Sequence, residues 1–214
     1  MLPITCLPFV PAPRPLAPYL WLRRLLLTLA VVAATPLQAD ALPGMRGLQH
    51  IGITAPNLGE ATAFFVEVLG CEPYFTFGEF KFADDWMARH LNVHPRATIK
   101  DFQMVRCGNG TNLEIFEYTA PDQNRRLPRN SDIGGHHLAF YVDDMAAAVA
   151  YLKARGVRVL DQPSSFSEGP AAGLTWVYFL APWGLQLELV SFPQGMGYEQ
   201  GLDRLLWDPR QPQR

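Results

Sequence analysis

The amino-acid sequence predicts an α+β fold in which two tandem β-α-β-β-β modules form a cup-shaped mixed sheet. The first observation is an internal repeat, because "QHIGITAPNLGEATAFFVEVLG" (49–70) aligns with "HHLAFYVDDMAAAVAYLKARG" (136–156). Each copy has a histidine before an apolar strand, a polar turn, and an amphipathic helix that ends at glycine. The second observation is that "GTNLEIFEY" (110–118) matches "GLQLELVSF" (184–192). Each module therefore ends in a strand with a central glutamate.

The helix boundaries follow from capping residues. Asn57 can cap the first helix, with Glu60 three residues later as in a capping box. In the second module Asp143 or Asp144 can cap the helix, and Gly156 ends it. Because both helices are amphipathic, the apolar side of each is predicted to cover one face of its sheet.

The middle strands of each module are predicted from short apolar runs between glycine and proline turns. They are "CEPYFTF" and "IKDFQMVRC" in the first module, and "VRVLDQP" and "LTWVYFLAP" in the second. If the first two pair as antiparallel neighbours, Cys71 comes near Cys107, which favours a disulfide over the alternative of two buried free thiols.

The repeat also sets the predicted domain boundaries. The spacing from histidine to glutamate is longer in the first module, which indicates an insertion at 79–100. The predicted segments are a signal peptide (1–40), module 1 (47–120), a linker (121–133), module 2 (134–192) and a C-terminal tail (193–214).

The first forty residues resemble an export signal. Arg23 and Arg24 precede an uncharged apolar run at 25–34, and Ala39 and Ala41 offer a cleavage site. The run is shorter than the roughly 20 residues of a membrane span. We therefore predict a periplasmic or secreted protein without a stable membrane span. The formal net charge of −2 and the lack of a basic block argue against a nucleic-acid partner and leave a small-molecule substrate.

Strand parity selects the candidate site residues, because successive side chains of a strand point to opposite faces. The apolar residues around His137 must lie under the helix, so His137 faces the other side and His136 stays on the helix side. The same test places His50, Glu114 and Glu188 on the helix-free face. Glu117 and His136 have the wrong parity and are not expected to take part.

Two neutral imidazoles and two carboxylates form a ligand set for a divalent metal ion such as Zn, Ni, Co, Mn or Fe. A lone strand histidine is more often a hydrogen-bonded core residue, and a lone glutamate is often solvated. The agreement between two repeats in position and facing favours metal binding by the predicted ligands, which are His50, Glu114, His137 and Glu188.

A second histidine pair competes with this set. His90 and His94 lie four residues apart, on one face of a helix predicted to begin near Asp84 and to end at Pro95. No glutamate lies between them as in metalloprotease helices, and histidines suit the C-terminal end of a helix dipole. A structural role or a role in a substrate lid is expected.

These motifs resemble the vicinal oxygen chelate superfamily, which includes glyoxalase I, methylmalonyl-CoA epimerase, extradiol dioxygenases and fosfomycin-resistance proteins. The resemblance covers 47–192 through "QHIGIT", "NLEIFEY", "GHHLAFYVDD" and "APWGLQLELV". It implies the glyoxalase/bleomycin resistance/dioxygenase fold, a metal ion bound by the four residues named above, chelation by two substrate oxygens, and commonly a homodimer. The epimerase branch has glutamine where Glu114 stands, whereas glyoxalase I has glutamate.

The resemblance implies a metal-dependent lyase, isomerase or epimerase. The metal polarises a substrate carbonyl, and Glu114 or Glu188 is the carboxylate expected to take the neighbouring C–H proton. Glutathione and CoA thioesters belong mainly to the cytosol, so an exported enzyme is expected to act on a hydroxy-ketone or cyclitol-like compound. The alternatives are an extradiol-type iron dioxygenase and a non-catalytic resistance protein that binds a small molecule. Aromatic side chains that could line the cup are Tyr141, Trp176, Tyr178 and Trp183.

Overall fold

A computed structural model of the chain describes residues 42–213, so the predicted signal segment lies outside the described residues. The first module contains four strands and two α-helices, the first of which continues as a π-helical turn. In chain order these elements are β1 (His50–Thr54), α1 (Leu58–Ala63), the π-helical turn (Phe64–Val68), β2 (Glu72–Thr76), α2 (Trp86–Leu91), β3 (Thr98–Arg106) and β4 (Asn112–Thr119).

The second module repeats this order without a helix between its second and third strands. Its elements are β5 (Leu138–Tyr141), α3 (Met145–Ala154), β6 (Arg158–Ser165), β7 (Thr175–Leu180) and β8 (Gln186–Ser191), followed by a 3-10 helix (Gly197–Glu199). Among the described residues, no helix has the length and apolar character needed to cross a membrane.

The two modules have the same sheet topology. The strand orders are β1-β4-β3-β2 and β5-β8-β7-β6. In each sheet the first and last strands of the module pair in parallel, and the remaining pairs are antiparallel. The predicted α+β fold with two tandem modules and mixed sheets is therefore confirmed.

The hydrophobic core lies on the helix side of both sheets, as strand parity predicts. The apolar residues that alternate along β1, β4 and β8 pack in this core, and they include the buried Ile53, Ile115 and Leu187. The two modules share this core. Phe64 packs edge-on against Trp183 of the second module, with ring centroids 5.8 Å apart. The helix-free faces are therefore the ones left to carry polar side chains.

Side-chain caps begin the two longer helical segments. The Asn57 Oδ1 atom accepts a hydrogen bond from the Glu60 amide at 2.8 Å. In the second module Asp144, not Asp143, is the cap, because its Oδ1 accepts from the Ala147 amide at 2.9 Å. Gly156 has φ of 72°, so it ends the second helical segment in the left-handed region that favours glycine.

Cys71 and Cys107 form a disulfide. Their neighbours Glu72 and Arg106 are directly paired across the antiparallel β2 and β3 strands. The pairing that was expected to bring the cysteines together is confirmed, and the alternative of two free thiols is wrong.

The helix inside the insertion is shorter than the sequence indicates. Helix α2 ends at Leu91 because Asn92 takes the left-handed conformation, with φ of 52° and ψ of 40°. His94 therefore lies outside the helix, and the predicted His90–His94 face is wrong. His90 Nδ1 lies 3.0 Å from the Trp86 carbonyl, and its ring stacks on that indole. Both interactions give His90 a structural role.

Candidate functional site

Two histidine–glutamate pairs occupy equivalent places in the two modules. His50 Nε2 lies 3.4 Å from Glu114 Oε2, and His137 Nε2 lies 3.0 Å from Glu188 Oε2. In each sheet the glutamate lies directly opposite the residue two positions after the histidine. Parallel pairing of the first and last strands therefore brings each histidine beside its glutamate on the same face.

An amide oxygen binds the other ring nitrogen of each histidine. His50 Nδ1 donates to the side-chain oxygen of Gln49, and His137 Nδ1 donates to Asn130 Oδ1 at 3.1 Å. A carbonyl oxygen can only accept, so this contact fits the tautomer that carries the proton on Nδ1. The Nε2 atom of a neutral ring with this tautomer has a lone pair and no hydrogen.

Each pair consequently holds two hydrogen-bond acceptors face to face. An unprotonated Nε2 and a carboxylate oxygen repel each other unless a proton or a cation lies between them. Metal bonds to imidazole and carboxylate are about 2.0–2.2 Å long, so donors about 3.0–3.4 Å apart fit neighbouring positions around one ion. The donor chemistry and the spacing of both pairs therefore fit a divalent metal ion.

The four residues do not form one cluster within the chain. Across residues 42–213, no three His, Cys, Asp or Glu side chains come together as a group that could hold a metal ion. The structure thus shows two half-sites, and the four-ligand set remains a prediction. The half-sites are partly open to solvent, with side-chain exposures of 43% and 20% for His50 and Glu114, and 33% and 12% for His137 and Glu188.

The two half-sites differ electrostatically. Burial raises the pKa of Glu188, and the interaction with His137 offsets part of that effect. The Tyr178 ring packs edge-on against His137, with centroids 5.1 Å apart. In the first module burial raises the pKa of Tyr118, and the charge of Glu114 raises it further.

Glu117 and His136, which strand parity excluded from the predicted site, form hydrogen bonds with other parts of the chain. Glu117 Oε2 accepts the Leu58 amide at the start of α1 at 2.7 Å, so its carboxylate lies on the helix side. His136 Nδ1 lies 3.0 Å from the Gly134 carbonyl. The Glu117 contact agrees with the helix-side facing predicted for that residue, whereas His136 precedes β5 and its facing stays a prediction.

Two cavities flank the half-sites. A cavity of about 820 Å³ follows β5 and includes His137, the 107–111 turn and tail residues Trp207, Pro209 and Arg210. A cavity of about 490 Å³ lies on the helix-free face of the first sheet. Val93 and Ala97 of the insertion line this smaller cavity. Tyr141 lines the larger cavity, whereas Trp183 belongs to the core.

Sequence reasoning missed Asn130 and Gly52. Asn130 comes from the loop before His137, and nothing in the repeat marks it. Gly52 lies in the middle of β1, where glycine is unfavourable and often marks the close approach of a ligand. That position in the strand was the available signal.

Comparison with known proteins agrees with this architecture. Residues 49–179 match the family model described as the glyoxalase/bleomycin resistance protein/dioxygenase superfamily. The chain is 50% identical over 169 residues to a 2-epi-5-epi-valiolone epimerase from Actinomyces sp, covering 78% of this chain and 91% of that protein. It is 28% identical over 148 residues to the uncharacterised protein YaeR of Escherichia coli (strain K12), covering 68% and 96%.

A solved glyoxalase family protein from Bacillus cereus shares the fold, with a TM-score of 0.55 and 16% identity, covering 71% of this chain and 98% of that one. The predicted enzymatic character is confirmed by the 50% identical epimerase and by the largely enzymatic family. The chain belongs to the glyoxalase/bleomycin resistance protein/dioxygenase superfamily, also called the vicinal oxygen chelate superfamily.

Proposed function

We propose that this enzyme is a divalent-metal-dependent epimerase of a small polyhydroxylated cyclic ketone. The observation that carries this proposal is the repeated pairing of an imidazole Nε2 atom with a carboxylate Oε2 atom, at 3.4 and 3.0 Å in the two modules. The substrate class is supported by the Actinomyces sp relative, whose name denotes such a ketone. A lyase or isomerase would use the same groups on a different substrate.

His50, Glu114, His137 and Glu188 would hold the metal ion, which would supply Lewis-acid chemistry by polarising a substrate carbonyl and so acidifying the neighbouring C–H bond. The protein must then move the proton. Epimerisation removes the proton from one face of the carbon and returns a proton to the other face. Glu114 and Glu188 come from different modules, so one carboxylate can act as the base while the other, in its protonated form, acts as the acid.

The four ligands are proposed to combine between two copies of the chain. Each copy offers a His50–Glu114 half-site and a His137–Glu188 half-site, both partly exposed. A two-fold dimer that places each half-site against the other kind in its partner would create two identical four-ligand sites. Homodimers of this superfamily support that arrangement.

Metal analysis is the first test. The protein from residue 42 onward is purified without chelator, and its metal content is measured beside that of His137→Ala. We expect about one transition-metal ion per chain in the unsubstituted protein and loss of the ion in the variant. His136→Ala is the matched control, since its ring contacts only the Gly134 carbonyl within the described chain. Absence of metal after incubation with Zn, Ni, Co, Mn and Fe would refute the metal site.

A heterodimer tests the sharing of the site. His50→Ala and His137→Ala chains with different tags are co-expressed, and the mixed dimer is isolated. One of its two sites would lack both histidines and the other would be intact, so about half of the unsubstituted activity should return. An inactive mixed dimer would show that the ligands combine within one chain.

The reaction is tested with 2-epi-5-epi-valiolone in deuterated water. Epimerisation should incorporate one deuterium at the inverted carbon beside the carbonyl, as seen by NMR. Ring cleavage in the presence of oxygen would instead favour the dioxygenase alternative. That alternative needs two histidines and one carboxylate with open positions, so the second glutamate argues against it.

We infer a periplasmic or secreted location. The disulfide between Cys71 and Cys107 supports it, because structural disulfides persist in oxidising compartments. A fusion of residues 1–45 to a reporter enzyme that works only after export would test this inference. Activity that is independent of residues 1–41 would contradict it.

A further inference from the structure

We propose that the insertion at 79–100 forms the specificity-determining wall of a pocket that admits an uncharged hydroxylated ring and rejects phosphorylated or other anionic substrates. This inference rests on the proposed function and assigns substrate selection to the first module. The smaller cavity, on the helix-free face of the first sheet, is the proposed pocket.

The insertion is a fixed wall because it has a core of its own. Met87, Ala97 and Ile99 are almost fully buried, in a cluster separate from the main core. Phe116 and Tyr118, on the helix-free face of β4, pack against this cluster. The insertion therefore covers the face of the sheet that carries Glu114.

Its two ends are tied together at the sheet. Phe80 and Ile99 exchange two backbone hydrogen bonds, of 3.0 and 3.1 Å. Just beyond the insertion, Asp101 Oδ1 accepts the amides of Phe77 and Gly78 at 3.1 and 2.6 Å. Burial raises the pKa of Asp101, but the backbone hydrogen bonds outweigh it and lower the pKa overall. The wall thus has a defined position above the strands.

The pocket lies between this wall and the strands. Its volume of about 490 Å³ falls in the range of small-molecule sites. Its lining residues come from β1, from β4 and the segment after it, and from the insertion: Gly52, Thr54, Phe116, Tyr118, Ala120, Gln123, Asn124, Val93 and Ala97.

Gly52 connects the pocket to the half-site. A Cβ atom added there would lie 3.8 Å from the Phe116 ring and 3.9 Å from Glu114 Oε2. Gly52 does not have a positive φ, so the backbone does not require glycine. The absent side chain leaves an opening through which a ring in the pocket can present a C–H bond to the Glu114 carboxylate.

The lining chemistry selects the ligand. Among the described residues, no Lys, Arg, Asp or Glu lines this cavity. The Thr54 and Tyr118 hydroxyls and the Gln123 and Asn124 amides are neutral hydrogen-bonding groups, which suit ring hydroxyls. No side chain of the lining could pair with a phosphate, so transfer of a phosphate from water to this lining is unfavourable.

The second module has no insertion over the equivalent positions. Ala139 occupies the position that corresponds to Gly52, opposite Glu188. Tyr141 and Phe192, which correspond to Thr54 and Tyr118, pack edge-on against each other, and Arg210 of the tail stacks over both rings. The pocket is therefore a property of the insertion, not of the repeated unit.

Val93→Trp tests the wall directly, since it fills the pocket from the insertion side. With 2-epi-5-epi-valiolone we expect KM to rise at least ~10-fold while kcat changes less than ~2-fold and metal content stays the same. Leu91→Trp is the matched control, because Leu91 is on the same segment, is partly exposed and does not line the pocket. The control should keep the unsubstituted KM.

Thr54→Val provides an independent test, since it removes a hydroxyl with little change of shape in an exposed strand position. It should raise KM ~5-fold or more. The phosphate ester of the same ring should bind the unsubstituted protein at least ~10-fold more weakly than the free ring. Unchanged KM in both variants, or equal binding of the ester, would overturn the inference.

If the proposed function is wrong but the pocket is real, metal content, deuterium exchange and ring binding give a different combination of results. If the protein binds no metal and produces no deuterium exchange, calorimetric titration with the ring still tests the pocket. Ring binding that Val93→Trp abolishes would retain the pocket without the reaction, and lack of ring binding would overturn the inference. An active enzyme with normal KM in both pocket variants would retain the function and reject the wall.

Discussion

The two modules share a topology and a histidine–glutamate pair, but they surround that pair differently. In the first module the pair is more exposed, a disulfide links β2 to β3, and the insertion covers part of the helix-free face. In the second module Glu188 is more deeply buried, and Trp176 and Tyr178 pack beside its partner histidine. Duplication has preserved the donor geometry while the surroundings have diverged.

This difference fits the proposed function, in which both modules bind the metal ion and the first module selects the substrate. Both modules keep the histidine–glutamate spacing that a shared metal ion would require, since every ligand must lie within about 2.2 Å of the ion. The geometry kept in one module is what recognition of a single asymmetric substrate requires. Substitutions that change one module and leave its counterpart intact test this assignment.

The largest effect is expected from Glu114→Gln and Glu188→Gln, which compare the two carboxylates directly. Each should reduce epimerisation about 10²- to 10⁴-fold, because proton transfer at one face of the substrate is lost. Glutamine keeps a carbonyl oxygen that can coordinate the metal ion, so each variant should still exchange the proton of one epimer, and the two should differ in which epimer that is. NMR of each epimer in deuterated water measures this. Loss of exchange from both epimers in both variants would contradict the assignment of one face to each module.

The Cys71→Ser/Cys107→Ser double variant is expected to lower the free energy of unfolding by about 3–4 kcal/mol, from the entropy of a 36-residue closed loop. Hydrogen exchange should accelerate in β2 and β3 and stay unchanged in β6 and β7. Chemical denaturation with and without reductant measures the stability, and the reduced unsubstituted protein is the control. A loss below about 1 kcal/mol would show that pairing of β2 with β3 does not depend on the link.

A smaller effect is expected at the residues that orient the histidines. Asn130→Ala removes the acceptor of His137 Nδ1 and should weaken metal affinity about 10- to 100-fold. Gln49→Ala should weaken it less, because the more exposed His50 can donate to water instead. Competition with a fluorescent chelator measures both affinities. Equal losses would indicate that the two half-sites are held equally firmly.

Strand parity could predict much of the fold and which face the candidate residues occupy. Alternation has a fixed period of two, so the buried Ile53 and Ile115 determine where His50 and Glu114 point. The repeat supplied the same conclusion for His137 and Glu188. Such local rules hold because they depend only on neighbours along the strand.

Strand parity and the repeat could not predict several other features. The π-helical turn at Phe64–Val68, where Phe64 and Phe65 are buried, reflects tertiary packing that outweighs local propensity. The left-handed Asn92 is a local helix end that asparagine favours, and it precedes the Pro95 that was expected to end the helix. Parity also gives a facing and not a distance between sheets, so it could not reveal that the ligands form two separate pairs. The role of Asn130 depends on a loop path that no periodicity describes.

The disulfide also affects how the recombinant protein should be made. Production in a reducing cytoplasm would leave Cys71 and Cys107 as adjacent thiols, Cys71 buried in the core and Cys107 packed against it. Thiolates bind zinc and other soft metals strongly, so chains in which these cysteines become exposed can take up ions unrelated to the histidine–glutamate pairs. Folding in an oxidising compartment removes these competing ligands, and metal counted in that material reports on the imidazole and carboxylate donors alone.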